Sequence, residues 1–134
     1  MADHEELNEF RESVRAFART SFLDGYLARA KADVYPRDTL KKLGENGLLG
    51  LCIPEEHGGQ GAGLVALGIA CEEVSYADAG CGCQVFGTNV MADMLLRFAH
   101  PEVTERYLQP VIAGELVCAV GLTEPESGSD AQAL

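Results

Sequence analysis

Apolar residues in this chain recur with a helical period, and the recurrence is interrupted where proline or glycine stands. Leu7, Phe10, Val14, Phe17 and the Ser21/Phe22 step lie three to four residues apart, which defines one face of a helix over residues 4–22. Asp3 is placed to cap that helix, and Glu6 to complete a capping-box-like pair. A weaker helical stretch, LDGYLARAKADVYP, ends at Pro36, because the residue before a proline is biased away from helix. PRDTLKKLG begins again with Pro36 at a first-turn position and stops at the glycine and Asn-Gly that follow. Next comes LLGLCIPEEHGGQGAG, where an apolar run meets Pro54 and then Gly58, Gly59, Gly61 and Gly63. That composition predicts a loop, entered by an extended buried segment.

The helical spacing then returns. Leu64, Leu67, Cys71 and Val74 line up in GLVALGIACEEVSYADAG, and Phe86, Val90, Met94 and Phe98 line up over residues 82–98. The second stripe reads most simply as core packing. PEVTERYLQPVIAGE opens with Pro101 in a first turn and closes on Gly114, with Pro110 expected to truncate or kink its last turn. From Leu116 the period changes. LVCAVGLT is eight residues of β-branched and small side chains without a charge, which predicts a buried strand. A lone strand has no partner here, so its sheet is expected outside this chain, or the strand docks elsewhere. The fold class that follows is all-α: five or so helices, then one strand and one loop.

Composition narrows the function. The 134 residues are 47% apolar, enough for one domain with its own core. The net charge of −11 argues against nucleic acid and anionic membranes as partners, since no excess of Lys or Arg exists to replace phosphate counterions. An anionic ligand would have to be met by backbone amides or by another chain. No run is long and apolar enough for a membrane span, and MADHEELNEF lacks the basic start and apolar centre of a signal peptide, so a cytoplasmic protein is expected. Cys52, Cys71, Cys81, Cys83 and Cys118 make an odd set without a Cys-x-x-Cys pair. A zinc site from Cys81, Cys83 and His57 has the wrong ligand spacing, so no metal is expected and the thiols are read as reduced.

Few motifs carry chemistry. Gly61-Ala62-Gly63-Leu64-Val65-Ala66 matches a loose G-x-G-x-x-A pattern, with Asp78 downstream. A dinucleotide fingerprint needs a strand running into its first glycine within a βαβ unit, and Pro54 to Gln60 intervene here. His4, His57 and His100 have no neighbouring nucleophile, and Glu72 and Glu73, adjacent on a helix, point in different directions. What remains is LTEPESGSD at residues 122–130. Its Ser127-Gly128-Ser129 run suits either a polar hairpin turn or an amide nest for a phosphate or the edge of a heterocycle. Spacing alone leaves both open.

Three blocks in order, YPRDTLKKLGENGLLGLCIPEEHGGQGAG, RFAHPEVTERYLQPVIAGELVCAVGLTEP and GLTEPESGSD, give the chain its resemblance to the N-terminal part of the acyl-CoA dehydrogenase flavoproteins, over residues 4–130. The resemblance implies a helical domain over 1–114 and, over 115–134, the first strand and flavin-side loop of an incomplete middle β domain. It implies FAD as cofactor. By position, Val120, Gly121, Leu122 and Thr123 would border the flavin ring, while Gly128 and Ser129 would reach the pyrophosphate. Ser129 would also meet the acyl-CoA thioester, and Phe86 and Val90 would form part of the acyl pocket floor, a bulky Phe86 favouring a short or branched chain. The family's glutamate base sits in a C-terminal bundle, so no catalytic residue is expected in this chain, and Glu124 is assigned a local structural role. Ser127 departs from the small, usually apolar residue found before Gly-Ser-Asp. The implied activity is oxidoreductase: α,β-dehydrogenation of an acyl-CoA in fatty acid metabolism, with an acceptor such as an electron-transfer flavoprotein and a homo- or hetero-oligomeric whole. This chain alone is expected to be inactive. The alternative is a non-catalytic helical partner of a split assembly, whose unpaired strand is completed by another sheet.

Overall fold

A computed structural model describes residues 4–121, 123–130 and 132. Six α-helices follow in order: α1 (His4–Ala18), α2 (Tyr26–Ala30), α3 (Arg37–Glu45), α4 (Gly63–Ala77), α5 (Ala79–Phe98) and α6 (Pro101–Ile112). The first helical region runs on from α1 through a π-helical turn, Arg19–Leu23, so residues 4–22 are helical as their spacing predicts. Leu7, Phe10 and Phe17 are half-buried on that face, and Val14, Ala18 and Phe22 are buried. Phe17 and Phe22 meet edge to face, ring centroids 5.4 Å apart, the arrangement that ring quadrupoles favour. Asp3, the expected cap, lies outside the described residues.

The long helices α4 and α5 are joined by Asp78 alone and pack on each other, with α1 against α4 and α6 against α5. Their close approach depends on Gly82, where a Cβ would collide with the Ser75 hydroxyl. Asp78 starts α5: its Oδ1 accepts from the amides of Gly80 (2.9 Å) and Cys81 (3.2 Å). Two apolar clusters result. The larger joins Phe22, Leu40, Leu43, Val74 and Val85 to Leu48, Leu49 and Leu51 from the segment before the glycines; the smaller gathers Ile53, Ala92, Leu108, Val111 and Ile112. That segment is a loop as predicted, but its buried part is a series of turns rather than extended chain.

Several expectations give way. Leu64 is exposed, and the buried face of α4 carries Ala66, Leu67, Ala70, Glu73, Val74 and Ala77. On α5 the large stripe faces outward: Phe86 is 58% exposed and Phe98 79%, while Cys81, Gly82, Gln84, Val85, Asn89 and Ala92 face in. Small residues win the interior face because they let helix axes approach closely, and periodicity alone does not rank two apolar faces of one helix. Pro110 sits inside α6 without ending it, since a proline so near the end removes one intrahelical hydrogen bond and the helix finishes two residues later. Residues 116–121 form no strand: they lack regular structure, and Leu116, Val117 and Val120 are exposed. No sheet edge exists among the described residues to pair them, so their β propensity has no ladder to act through.

Candidate functional site

The N-terminal half of α5 and the chain at Val117 and Cys118 bound a cavity of about 390 Å³, closed behind by Tyr35, Pro36 and Leu40. A chain of charges connects it to the fold. The Arg29 guanidinium donates to Asp78 Oδ2 (2.7 Å), to the Asp24 carbonyl (3.1 Å) and to the Phe22 carbonyl. Arg29 thus caps the end of the first helical region while pairing with the carboxylate that caps α5, an arrangement favoured at both helix ends. Deeper in, the Thr39 hydroxyl lies 2.7 Å from the Pro36 carbonyl and 3.0 Å from Gln84 Oε1, sharing its one hydrogen between them. Gln84 is buried and lies near Tyr35. Burial raises the Tyr35 pKa, and Gln84 partly offsets this. The Cys81 thiol is pushed up to about 11, first by burial and then by the Asp78 charge, and burial raises Cys118 as well. In both, burial disfavours the thiolate, the nucleophilic form. Cys83, on the same wall, is exposed.

A second cavity, about 330 Å³, lies between the start of α4 and the later turns of α5, lined by Leu64, Leu67, Val90, Met94, Asp93 and Arg97 among others. Beneath it Asn89 ties the 48–52 loop to α5: its Nδ2 donates to the carbonyls of Leu48 (2.8 Å) and Val85 (2.9 Å), and its Oδ1 accepts from the Cys52 amide (3.2 Å).

Of the residues singled out in the sequence, Val90 therefore lines the second cavity and Phe86 lines neither. Val120 and Gly121 continue from the first cavity into an exposed segment, and a Cβ on Gly121 would meet nothing within 4 Å. Leu122 lies outside the described residues. Beyond it, Glu124 and Ser127 pair across a tight turn (Glu124 N to Ser127 O, 2.8 Å), and the Ser127 hydroxyl donates to the Asp130 carbonyl at 2.6 Å. The tight turn therefore has Pro125 and Glu126 at its tip, and Gly128 and Ser129 follow it as bends. Gly128 lies against Thr123, where an added Cβ would come within 3.3 Å of its methyl group, and Ser129 is exposed. Neither Thr123 nor Ser129 spends its hydroxyl on another described residue. The hydroxyls of Thr123 and Ser129 and the amides of this run, with open space at Gly121, are donors of the kind a flavin edge and a pyrophosphate need, and the exposed Glu124, Glu126 and Asp130 interleave with them. Arg29, Tyr35, Gln84 and Thr88 were missed in the sequence. The polar character of Arg29, Gln84 and Thr88 inside helical stretches was the available signal, Tyr35 lying in the loop before α3, but their convergence is tertiary.

These features define a class: a helical bundle whose longest helix and C-terminal segment form one wall of an open cleft. The family described as acyl-CoA dehydrogenase, N-terminal domain, matches residues 4–115. The chain belongs to the acyl-CoA dehydrogenase family. An acyl-CoA dehydrogenase of Bacillus subtilis (strain 168) is 36% identical over 125 residues, 92% of this chain and 33% of that relative. A chain in the solved structure of the electron transferring flavoprotein of Acidaminococcus fermentans matches with a TM-score of 0.84 and 34% identity, over 99% of this chain and 35% of the other. The crystal structure of acyl-CoA dehydrogenase from Geobacillus kaustophilus matches at 0.82 and 27%, over 96% and 34%. The chain spans about a third of the length of the curated relatives it matches. Among the described residues no helix is long and apolar enough to cross a membrane, and no cluster of His, Cys, Asp or Glu is placed to hold a metal ion.

Proposed function

We propose that this chain is the N-terminal helical wall of the acyl-CoA and FAD site of an acyl-CoA dehydrogenase, a helical domain over 1–114 followed by the first part of a β domain over 115–134. The observation that carries the reading is the cavity between α5 and Val117 and Cys118, contiguous in sequence with the open donor segment from Val120 to Ser129. Val120, Gly121, Leu122 and Thr123 would hold the flavin ring, with the Thr123 hydroxyl or amide donating to its edge. Gly128 and Ser129 would hold the pyrophosphate through backbone amides, which suits a chain with net charge −11. FAD, when bound, supplies the two-electron oxidation of the α,β bond. Ser129 would orient the thioester with the acyl chain entering the first cavity, and Phe86 and Val90, which do not line that cavity, would bound the acyl site only from the far side of α5 once further polypeptide packs there; a Phe86→Ala enzyme with unchanged chain-length preference in kcat/KM would remove Phe86 from that role.

The base is proposed to lie outside these residues. Asp78 is the one carboxylate on the first cavity's wall among the described residues, and its oxygens are held by Arg29 and two amides. A base must be free to take a proton from a positioned substrate, and Asp78 is not. The isolated chain, given FAD, an acyl-CoA and an electron-accepting dye, is therefore expected to show no turnover; robust turnover refutes the assignment. In the complete protein we place electron transfer to an electron-transfer flavoprotein, oligomeric assembly and a cytoplasmic site of action. A second reading, a non-catalytic interaction module, is favoured by the exposed apolar residues Leu116, Val117 and Val120. Light scattering on the eluting chain separates the two, since a clean monomer that binds no partner speaks against the module.

A further inference from the structure

Thr88 and Gln84 stand one helical turn apart on α5, and both line the first cavity. We propose that this cavity takes an acyl thioester bearing a neutral oxygen, a hydroxyl or ketone, toward the far end of its chain, with Thr88 and Gln84 as the residues that read it; the inference rests on the acyl-CoA reading above. Gln84 is 9% exposed, and its position is set by Thr39, which donates to its carbonyl oxygen at 3.0 Å. An amide nitrogen carries two hydrogens, and the nearby Tyr35 oxygen can take one at most. The second has no acceptor among the described residues, and neither does the Thr88 hydroxyl have a partner there. A hydrocarbon tail filling the cavity would strip water from both groups and return nothing, whereas an oxygen would accept from both. The carbons of the chain would lie on Pro36, Leu40 and Val117.

The same wall selects against a carboxylate. Arg29 is the one cation lining the cavity among the described residues; three of its five N–H groups donate to Asp78, Asp24 and Phe22, and its charge is balanced by Asp78. A second anion would meet the Asp78 charge without a free cation to balance it, so the favoured group is polar and uncharged.

The test compares kcat/KM of the FAD-loaded protein that carries this chain for hexanoyl-CoA, the ketone of the same chain at the penultimate carbon, and adipoyl-CoA. The ketone is expected to be preferred over hexanoyl-CoA by about tenfold, the worth of one to two net hydrogen bonds, and adipoyl-CoA to be the poorest. Thr88→Val should cut the ketone preference at least about fivefold, and Thr88→Ser, which keeps the hydroxyl, should preserve it. Equal use of ketone and hydrocarbon, a preference for adipoyl-CoA, or a Thr88→Val ratio identical to the parent overturns the inference while leaving the acyl-CoA reading in place. Failure of all three thioesters to be oxidised removes both together.

Discussion

Glu73 is the one buried carboxylate among the described residues, and its removal is the sharpest test of how the bundle is held. It lies on the inner face of α4, 7% exposed, between two arginines of α1. Arg15 grips it with two parallel bonds, Nε to Oε2 and Nη2 to Oε1, both 2.9 Å. Arg11 Nη1 donates to Oε1 at 2.8 Å and also reaches Glu72 at 2.5 Å, so the two neighbouring carboxylates, expected to point apart, meet at one guanidinium. These bonds, Arg15 first, outweigh the cost of burial and lower the Glu73 pKa from 4.5 to about 2. Taken at face value, that depression corresponds to roughly 3 kcal/mol favouring the folded state when the group is ionised. Both guanidiniums are about a third exposed, 30% and 33%, so solvent screening reduces the sum to about 1–2 kcal/mol. The sign follows from the direction: a carboxylate with a lowered folded pKa stabilises above its unfolded value of 4.5, and the contribution fades as pH falls from there toward about 2. Urea unfolding followed by far-UV circular dichroism should show Glu73→Gln less stable than the parent by about 1–2 kcal/mol near neutral pH, the difference shrinking steadily in acid. A difference that is the same at neutral pH and at about pH 2 would refute the electrostatic account, because a purely steric loss does not titrate.

Other tests probe packing and thiol chemistry. Gly44→Ala would drive a Cβ into the carbonyl of Ala113, rigid backbone at the end of α6, and should lower stability by about 2 kcal/mol, visible as a fall in Tm. Asn89→Leu leaves the Cys52 amide and the Leu48 carbonyl without partners and should cost about 2–3 kcal/mol, read as a lower urea midpoint with an unchanged slope. Brief treatment with iodoacetamide at neutral pH should label Cys83, which is exposed, and spare Cys81, which is buried with its pKa pushed up to about 11; peptide mass spectrometry that finds Cys81 labelled first would contradict the packing at the start of α5.

Much of this protein could be read along the chain. Helix spacing located the long helices, Pro36 and Pro101 the starts of α3 and α6, and Gly114 the end of the last, because backbone sterics and capping act over a few residues. The ordered blocks that mark an acyl-CoA dehydrogenase were equally legible, since family membership is a property of residue order. Which face of a helix is buried was not. Phe86, Met94 and Phe98 formed the stronger stripe on α5 and nevertheless point out, because the interior was allotted by the fit of α4 and α6 against Val85, Asn89 and Ala92. The fate of residues 116–121 likewise depends on a partner strand, and a strand's free energy lies in pairing rather than in its own residues. Only the tertiary structure brings Arg11 and Arg15 to Glu73, some 58 to 62 positions away, or Tyr35 and Thr39 to Gln84. Charges and hydrogen bonds act at contact distance, and contact between distant positions is decided by how the helices pack.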